Sequence, residues 1–188
     1  ELREELPRLF ENRDCIVVYA TTEPMDALLI GGNTATIHEG RIIQYGKTVE
    51  VYNKPKNVIS AKVFNDPPIN TTKIVKKDKT FSIKNNSVSW SCQPNLEGLA
   101  DGHYTIGIRP HSITPYKQTE NSVQIKGKVL IAELSGSESI IHFQSGDIKW
   151  VSLSTGIHPL KVGAEAELHM DVNQFLYFDQ NNKLINHV

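Results

Sequence analysis

The residues whose types and spacing could do chemistry fall in a few short stretches. Thr21-Thr22-Glu23-Pro24 sits between an apolar run and a helical pattern, where a threonine hydroxyl can cap the first turn of a helix. Arg109, in Gly107-Ile-Arg-Pro110, is suited to binding an anion or to tying a carboxylate where two elements meet. Trp90 and Trp150 could stack on bases or fill a core, and Lys73-Ile-Val-Lys-Lys-Asp-Lys79 could touch a polyanion or form the solvated face of a strand. The seven histidines show no metal-ligand spacing, so no metal site is predicted. No stretch fits G-x-x-x-x-G-K-[ST], the glycine-rich loop that presents backbone N–H groups to phosphates at a helix start. Without that cradle these residues alone are not expected to hydrolyse a nucleotide, because phosphoryl transfer depends on positioning and charge neutralisation around bound metal-nucleotide.

The elements that must position these residues follow from periodicity. Cys15-Ile-Val-Val-Tyr-Ala20 is a continuous apolar, β-rich segment, as expected of a strand covered on both faces. A short helix follows, with Pro24 tolerated in its first turn, Met25, Leu28 and Leu29 on one face, and Gly31-Gly32 as its stop. Thr34 to His38 and Arg41 to Tyr45, joined by Glu39-Gly40, read as a hairpin. Two more short helices are predicted over Thr48 to Tyr52 and Val58 to Phe64, separated by Pro55.

From about Asn70 onward the patterning changes to period two. Strands are predicted at 80–84, 87–91, 104–108, 123–129, 140–143, 148–153, 164–170 and 175–178, with turn residues between them, a pattern that points to small barrels.

Composition narrows the classes further. Lys plus Arg is 20 and Asp plus Glu is 21, so no global basic field draws in nucleic acid. Two cysteines, Cys15 in the predicted core strand and Cys92 in a strand or turn, suit a reducing compartment better than a disulfide scaffold. There is no signal peptide and no apolar run of about 18 residues, so the chain is expected to be soluble.

Ala20-Thr21-Thr22-Glu23-Pro24-Met25-Asp26-Ala27-Leu28 resembles, in register, the V-T-H-D-x-x-E-A-L text of ATP-binding-cassette (ABC) import ATPases. Gly40-Arg41-Ile42, Gln44, Gly46, Glu50-Val51-Tyr52 and Pro55 resemble the hairpin and helix that follow it in that family, and Leu2 to Leu6 resembles the helix after its D-loop. The resemblance implies an α+β chain. Residues 1–66 would be the C-terminal fragment of a P-loop α/β ATPase domain, cut just after Walker B and the D-loop. Residues 67–188 would be an all-β regulatory domain of two OB-like (TOBE/MOP-type) barrels with interleaved strands.

The family's switch histidine falls at Thr22. An imidazole can donate and accept at once and can carry charge, whereas threonine offers one uncharged hydroxyl on a shorter stem. Losing such a group commonly lowers a rate by ~10² to 10⁴. The resemblance therefore implies a degenerate catalytic position. In the second region, Gly107-Ile-Arg109-Pro110 resembles the family's G-[IV]-R-P-E hallmark, with His111 where an acid is usual. Leu134-Ser-Gly136-Ser-Glu138 resembles its L-G-x-[ED] turn, which makes Arg109, Pro110, Gly136 and Glu138 regulatory or structural candidates. Leu134-Ser135-Gly136-Ser137 is also a partial echo of the L-S-G-G-Q signature, in the wrong half of the chain.

The implied cofactors are ATP and Mg²⁺ in the full-length protein, with none expected for this stretch alone. The implied partners are a second ATPase subunit, like or unlike, and transmembrane permease subunits, but no nucleic acid. The implied location is cytoplasmic, peripheral on the inner face of a bacterial membrane, and the implied cargo a carbohydrate or polyol such as glycerol or glycerol phosphate. Two other readings stay open: a stand-alone OB-like module that captures a small oxyanion, and an OB-fold nucleic-acid binder.

Overall fold

The computed structural model describes residues 14–84 and 87–185, together with Glu5. The expected helix over 2–6 lies outside the described residues except at Glu5. The chain divides into two compact units, Glu1–Pro68 and Ile69–Val188.

The first unit carries helix α1 (Pro24–Ile30), strands β1 (Asn33–His38) and β2 (Arg41–Lys47), and helices α2 (Thr48–Asn53) and α3 (Val58–Val63). β1 and β2 pair antiparallel around Glu39-Gly40, both at positive φ (48° and 71°), as a two-residue hairpin turn of matching twist requires. α1 stops at Gly31, whose φ of 74° lets its N–H reach back to the Ala27 carbonyl at 2.9 Å. Gln44 organises the rest. Its Nε2 donates to the Lys54 carbonyl, and its Oε1 accepts from the Lys56 N–H at 2.6 Å and the Ser60 hydroxyl at 2.7 Å. One side chain on β2 thus fixes the link between α2 and α3. α3 opens on Asn57, whose Oδ1 accepts from the Ser60 N–H. Val51, Ala61 and Phe64 are buried, with Tyr52 edge-on to Phe64.

Two expectations fail in this unit. Residues 15–20 form no strand: Ile16 is 96% and Val18 91% exposed. A strand exists only by pairing, and no strand lies beside this segment among the described residues. Cys15 is accordingly exposed, not in a core. In α1, Met25 and Leu29 are exposed, and the buried residue is Asp26.

The second unit is mostly β, two five-stranded antiparallel sheets with a barrel-like arrangement around one core. The first sheet runs β12 (Leu176–Phe178), β6 (Gly102–Ile108), β3 (Asn70–Lys77), β4 (Thr80–Ile83), β5 (Ser89–Ser91). The second runs β10 (Ile148–Thr155), β9 (Glu138–Ser145), β8 (Ser122–Leu134), β11 (Glu165–Asp171), β7 (Ile113–Thr114). The interleaving is carried by β12, which returns from the end of the chain to pair with β6. The predicted strands are present with shifted ends. β3 was read only as a possible solvated strand face over 73–79, and β7, two residues long, was not predicted.

Both tryptophans are core residues. Trp90 packs on Phe81 and donates its indole N–H to the Tyr177 hydroxyl at 2.9 Å, and Trp150 stacks on Phe143. Neither is available to stack a base. Gly127 is required by packing, since a Cβ there would meet the Gln144 carbonyl oxygen at 2.6 Å.

The two sheets are joined by Asn70. Its Nδ2 donates to the Val151 carbonyl at 2.8 Å and its Oδ1 accepts from the Val151 N–H at 2.7 Å, while Nδ2 also reaches the Ile108 carbonyl at 3.1 Å. Asn70→Ala leaves buried backbone groups without these bonds and is expected to destabilise the chain by about 2–4 kcal/mol. Urea titration of the 188-residue chain measures it, and a loss below about 0.5 kcal/mol would contradict the assignment.

The lysine run is not wholly a solvated face. Lys76 is 3% exposed, and its ammonium donates to the Asp78 carbonyl at 2.7 Å and pairs with Asp101 at 3.4 Å. The Asp78 backbone N–H and then Lys76 hold the Asp101 carboxyl below its ordinary pKa. A depressed carboxylate adds stability that is present above its unfolded pKa of about 3.9 and is lost as pH falls through the lower folded value. Asp101→Asn is expected to flatten that part of the acid-unfolding curve, while leaving its shape above about pH 6 unchanged.

Candidate functional site

The hydroxyl pair at the entry to α1 separates into two unlike residues. Thr21 Oγ1 accepts from the Glu23 N–H at 2.9 Å and donates to Asp26 Oδ2 at 2.8 Å. The Tyr19 hydroxyl donates to the same carboxylate oxygen at 3.3 Å. Asp26, in the first turn of α1, is 3% exposed, and its N–H bonds the Glu23 carbonyl. A buried carboxylate held by two hydroxyls fixes the bend between residue 19 and the helix. The expectation that Thr22 caps α1 is corrected: the N-cap is Glu23, with no side-chain cap. Thr22 is exposed, and its hydroxyl has no hydrogen-bond partner among the described residues. The bend therefore holds Thr22 outward as its unengaged hydroxyl. Sequence reading marked Thr21 and Thr22 alike as possible caps and gave Tyr19 and Asp26 no structural role. The i to i+2 spacing of Thr21 and Glu23, a local hydroxyl turn, was the available signal.

The other four candidates lie in the second unit. Arg109, 8% exposed, stands where the chain leaves β6 of the first sheet for β7 of the second. It is the N-cap of a 3-10 turn, Pro110–Ser112, whose Ser112 N–H bonds the Arg109 carbonyl at 2.9 Å. Pro110 takes the first position of that turn, where a missing N–H does no harm. Partial desolvation, then the Arg109 charge, push the His111 imidazole below its ordinary pKa. The turn is locked onto β10 by the Ser152 hydroxyl, which donates to the Ile113 carbonyl at 2.6 Å.

Gly136 and Glu138 sit at the β8–β9 hairpin. Gly136 has φ of 90° and open space around it, so conformation and not packing selects glycine there. The Ser135 N–H bonds the Glu138 carbonyl at 3.0 Å, and Glu138 itself is exposed. The Gly156 N–H donates to the Ser137 carbonyl and the Ser139 hydroxyl donates to the Gly156 carbonyl, which anchors the hairpin to the end of β10. The two pairs of candidates thus meet β10 at Ser152 and at Gly156, roughly 13 Å apart at strand rise. They form two places, not one site.

Among the described residues no group of three His, Cys, Asp or Glu could hold a metal ion, and no helix is long and apolar enough to cross a membrane. α1 opens on Glu23, an acid, so its entry is not a phosphate cradle.

No protein-family model matches the chain. Among curated proteins it is 24% identical, over 189 residues, to the uncharacterised ABC transporter ATP-binding protein YcjV of Escherichia coli, with 98% of this chain and 52% of that protein covered. It is 26% identical over 160 residues to the maltose/maltodextrin import ATP-binding protein MalK of Mannheimia succiniciproducens, covering 81% of this chain and 42% of that one. It is 27% identical over 150 residues to the sulfoquinovosyl glycerol transport ATP-binding protein SmoE of Agrobacterium fabrum, covering 78% and 41%. The chain is a relative of ABC transporter ATP-binding proteins. It spans about half the length of the curated ABC proteins it matches.

The geometry at α1 separates the two threonines by experiment. Thr21→Val removes both hydroxyl bonds and is expected to cost about 1–3 kcal/mol locally, seen as faster hydrogen exchange at the Glu23 and Asp26 amides. Thr22→Val is expected to change those amides by less than about 0.5 kcal/mol.

Proposed function

We propose that this chain is part of an ATP-binding subunit of an ABC importer. In this reading the first unit is the closing part of a P-loop nucleotide-binding domain and the second is a regulatory β domain of OB-like barrels. The observation that carries the reading is the bare segment 15–20, set directly before a helix entry that resembles the importer ATPase text in register. Six apolar or small residues of strand character, with Ile16 and Val18 almost fully exposed, are what a buried strand looks like when its sheet neighbours belong to other residues. The exposed Ile37, Ile42 and Tyr45 of the β1–β2 hairpin are further apolar surface in want of cover. A nucleotide-binding segment would supply that cover together with the missing phosphate cradle, and the matched relatives have length to spare for one.

Within this reading Thr22 occupies the switch position, held outward by the Tyr19–Thr21–Asp26 network. It gives a degenerate ATP site that depends on a partner subunit, and ATP with Mg²⁺ would be held by residues outside this chain. Transmembrane permease subunits would couple the assembly to a membrane from the cytoplasmic side. A carbohydrate or polyol, glycerol among them, is the class of cargo. Arg109, at the crossover between the sheets, and the Gly136–Glu138 hairpin are the regulatory or structural positions of this reading.

The experiment has two parts. The coding sequence upstream of Glu1 is expected to read as a phosphate loop, a signature and an acidic strand end; a start codon there instead would end the reading. In the longer polypeptide, assembled with its partner, Thr22→His is expected to raise ATP turnover by ~10²-fold or more. Unchanged turnover would leave Thr22 as an exposed loop residue with no catalytic position.

A further inference from the structure

The outward face of the first sheet carries two exposed lysines that no carboxylate among the described residues pairs with. Lys73 on β3 and Lys84, just after β4, are cross-strand neighbours, for the Lys84 N–H bonds the Lys73 carbonyl at 3.4 Å. His103 on β6 is paired with Val75, so it stands one diagonal step from Lys73 on the same face. Like charges side by side on neighbouring strands are ordinarily destabilising.

The acids that could relieve them are engaged elsewhere. Asp101 serves Lys76 and the Asp78 N–H, Glu97 pairs with Lys79 at 3.1 Å, and Asp179 accepts from the Asn181 and Lys183 N–H groups. Among the described residues neither Lys73 nor Lys84 has a carboxylate partner, and Lys73 donates only to the Thr105 hydroxyl at 2.9 Å. The same two lysines line two adjoining clefts. One of about 450 Å³ is completed by His103, Tyr104 and Gln180 and contains no acid. The other, of about 220 Å³, is completed by Thr72, Ser145, Ile148 and Asp147, which forms no ion pair with either lysine.

We propose that the acid-free cleft over β4, β3 and β6 binds a small phosphate-class dianion, with Lys73 and Lys84 as its two ammonium donors and His103 and Gln180 as ring and amide contacts. The two ammonium groups match the two charges of such an ion, and its oxygens can accept from both at once. The chain's net charge of −1 supplies no wider basic field to guide a long polyanion. This assignment stands apart from the transporter reading, since it rests only on the second unit's own residues.

The test is titration of the 188-residue chain with inorganic phosphate at constant ionic strength, followed by two-dimensional amide NMR, with sodium chloride as the matched control. Saturable shifts confined to the amides of Lys73, Lys84, His103 to Thr105 and Gln180 are expected. The double variant Lys73→Ala with Lys84→Ala is expected to weaken binding by about 10-fold or more. Lys77→Ala, an exposed lysine on the same strand outside both clefts, is expected to leave binding unchanged and shows that general charge loss is not the cause. Shifts that do not saturate, or that persist in the double variant, would overturn the proposal. Binding of a single-stranded oligonucleotide through the same residues with a steep salt dependence, in place of phosphate, would overturn it in favour of a polyanion surface.

Discussion

The second unit depends on a single carboxamide. Each of its sheets has edges, and an edge strand carries a row of backbone groups that must find partners or water. β10 is the outer strand of the second sheet, and Asn70 of the first sheet answers it with the two complementary bonds that a strand residue would make to Val151. An asparagine can do this because its side chain is itself an amide, with a donor and an acceptor at the spacing of a peptide group. The third bond, to the Ile108 carbonyl, ties the same side chain to β6, where the chain turns toward Arg109 and crosses to the other sheet. Register between the two sheets is thereby set by polar geometry, while the apolar cluster from Ile74 to Tyr177 supplies the non-directional part of the stability.

The first unit obeys the opposite condition. Its internal polar geometry is well satisfied, with Gln44, Thr48 and Asn57 each closing backbone or hydroxyl partners. Its apolar surface is not. Buried apolar side chains are few, and large exposed ones occur on the 15–20 segment, on α1 and on the hairpin. A unit with ordered hydrogen bonding and uncovered apolar faces is one whose local structure is encoded within it and whose burial is not.

The sequence made much of this legible, and the failures have physical causes. Hairpins and short helices whose ends carry Gly or Pro could be read because those residues act locally: Glu39-Gly40 turns, Gly31 stops α1 and Pro55 separates α2 from α3. Most strands of the second unit were visible by alternation. β3 was read only as a solvated lysine face because Lys76 is buried, so lysines occupy both faces and the polarity pattern breaks. Residues 15–20 misled in the other direction, since strand composition cannot form a strand without a neighbour. At the α1 entry, composition marks two equivalent threonines. Only the fold distinguishes them, because what separates Thr21 from Thr22 is the direction of a side chain relative to Asp26.

That distinction bears on what position 22 can hold. A residue that caps or braces a helix is constrained by stability, and its exchange for histidine would disturb the fold. Thr22 carries no such duty, because Thr21 does the bracing and Glu23 occupies the cap. The position is thus structurally permissive, able to hold an imidazole or a hydroxyl with the same backbone behind it. What the fold constrains at this entry is the bend that Tyr19, Thr21 and Asp26 maintain.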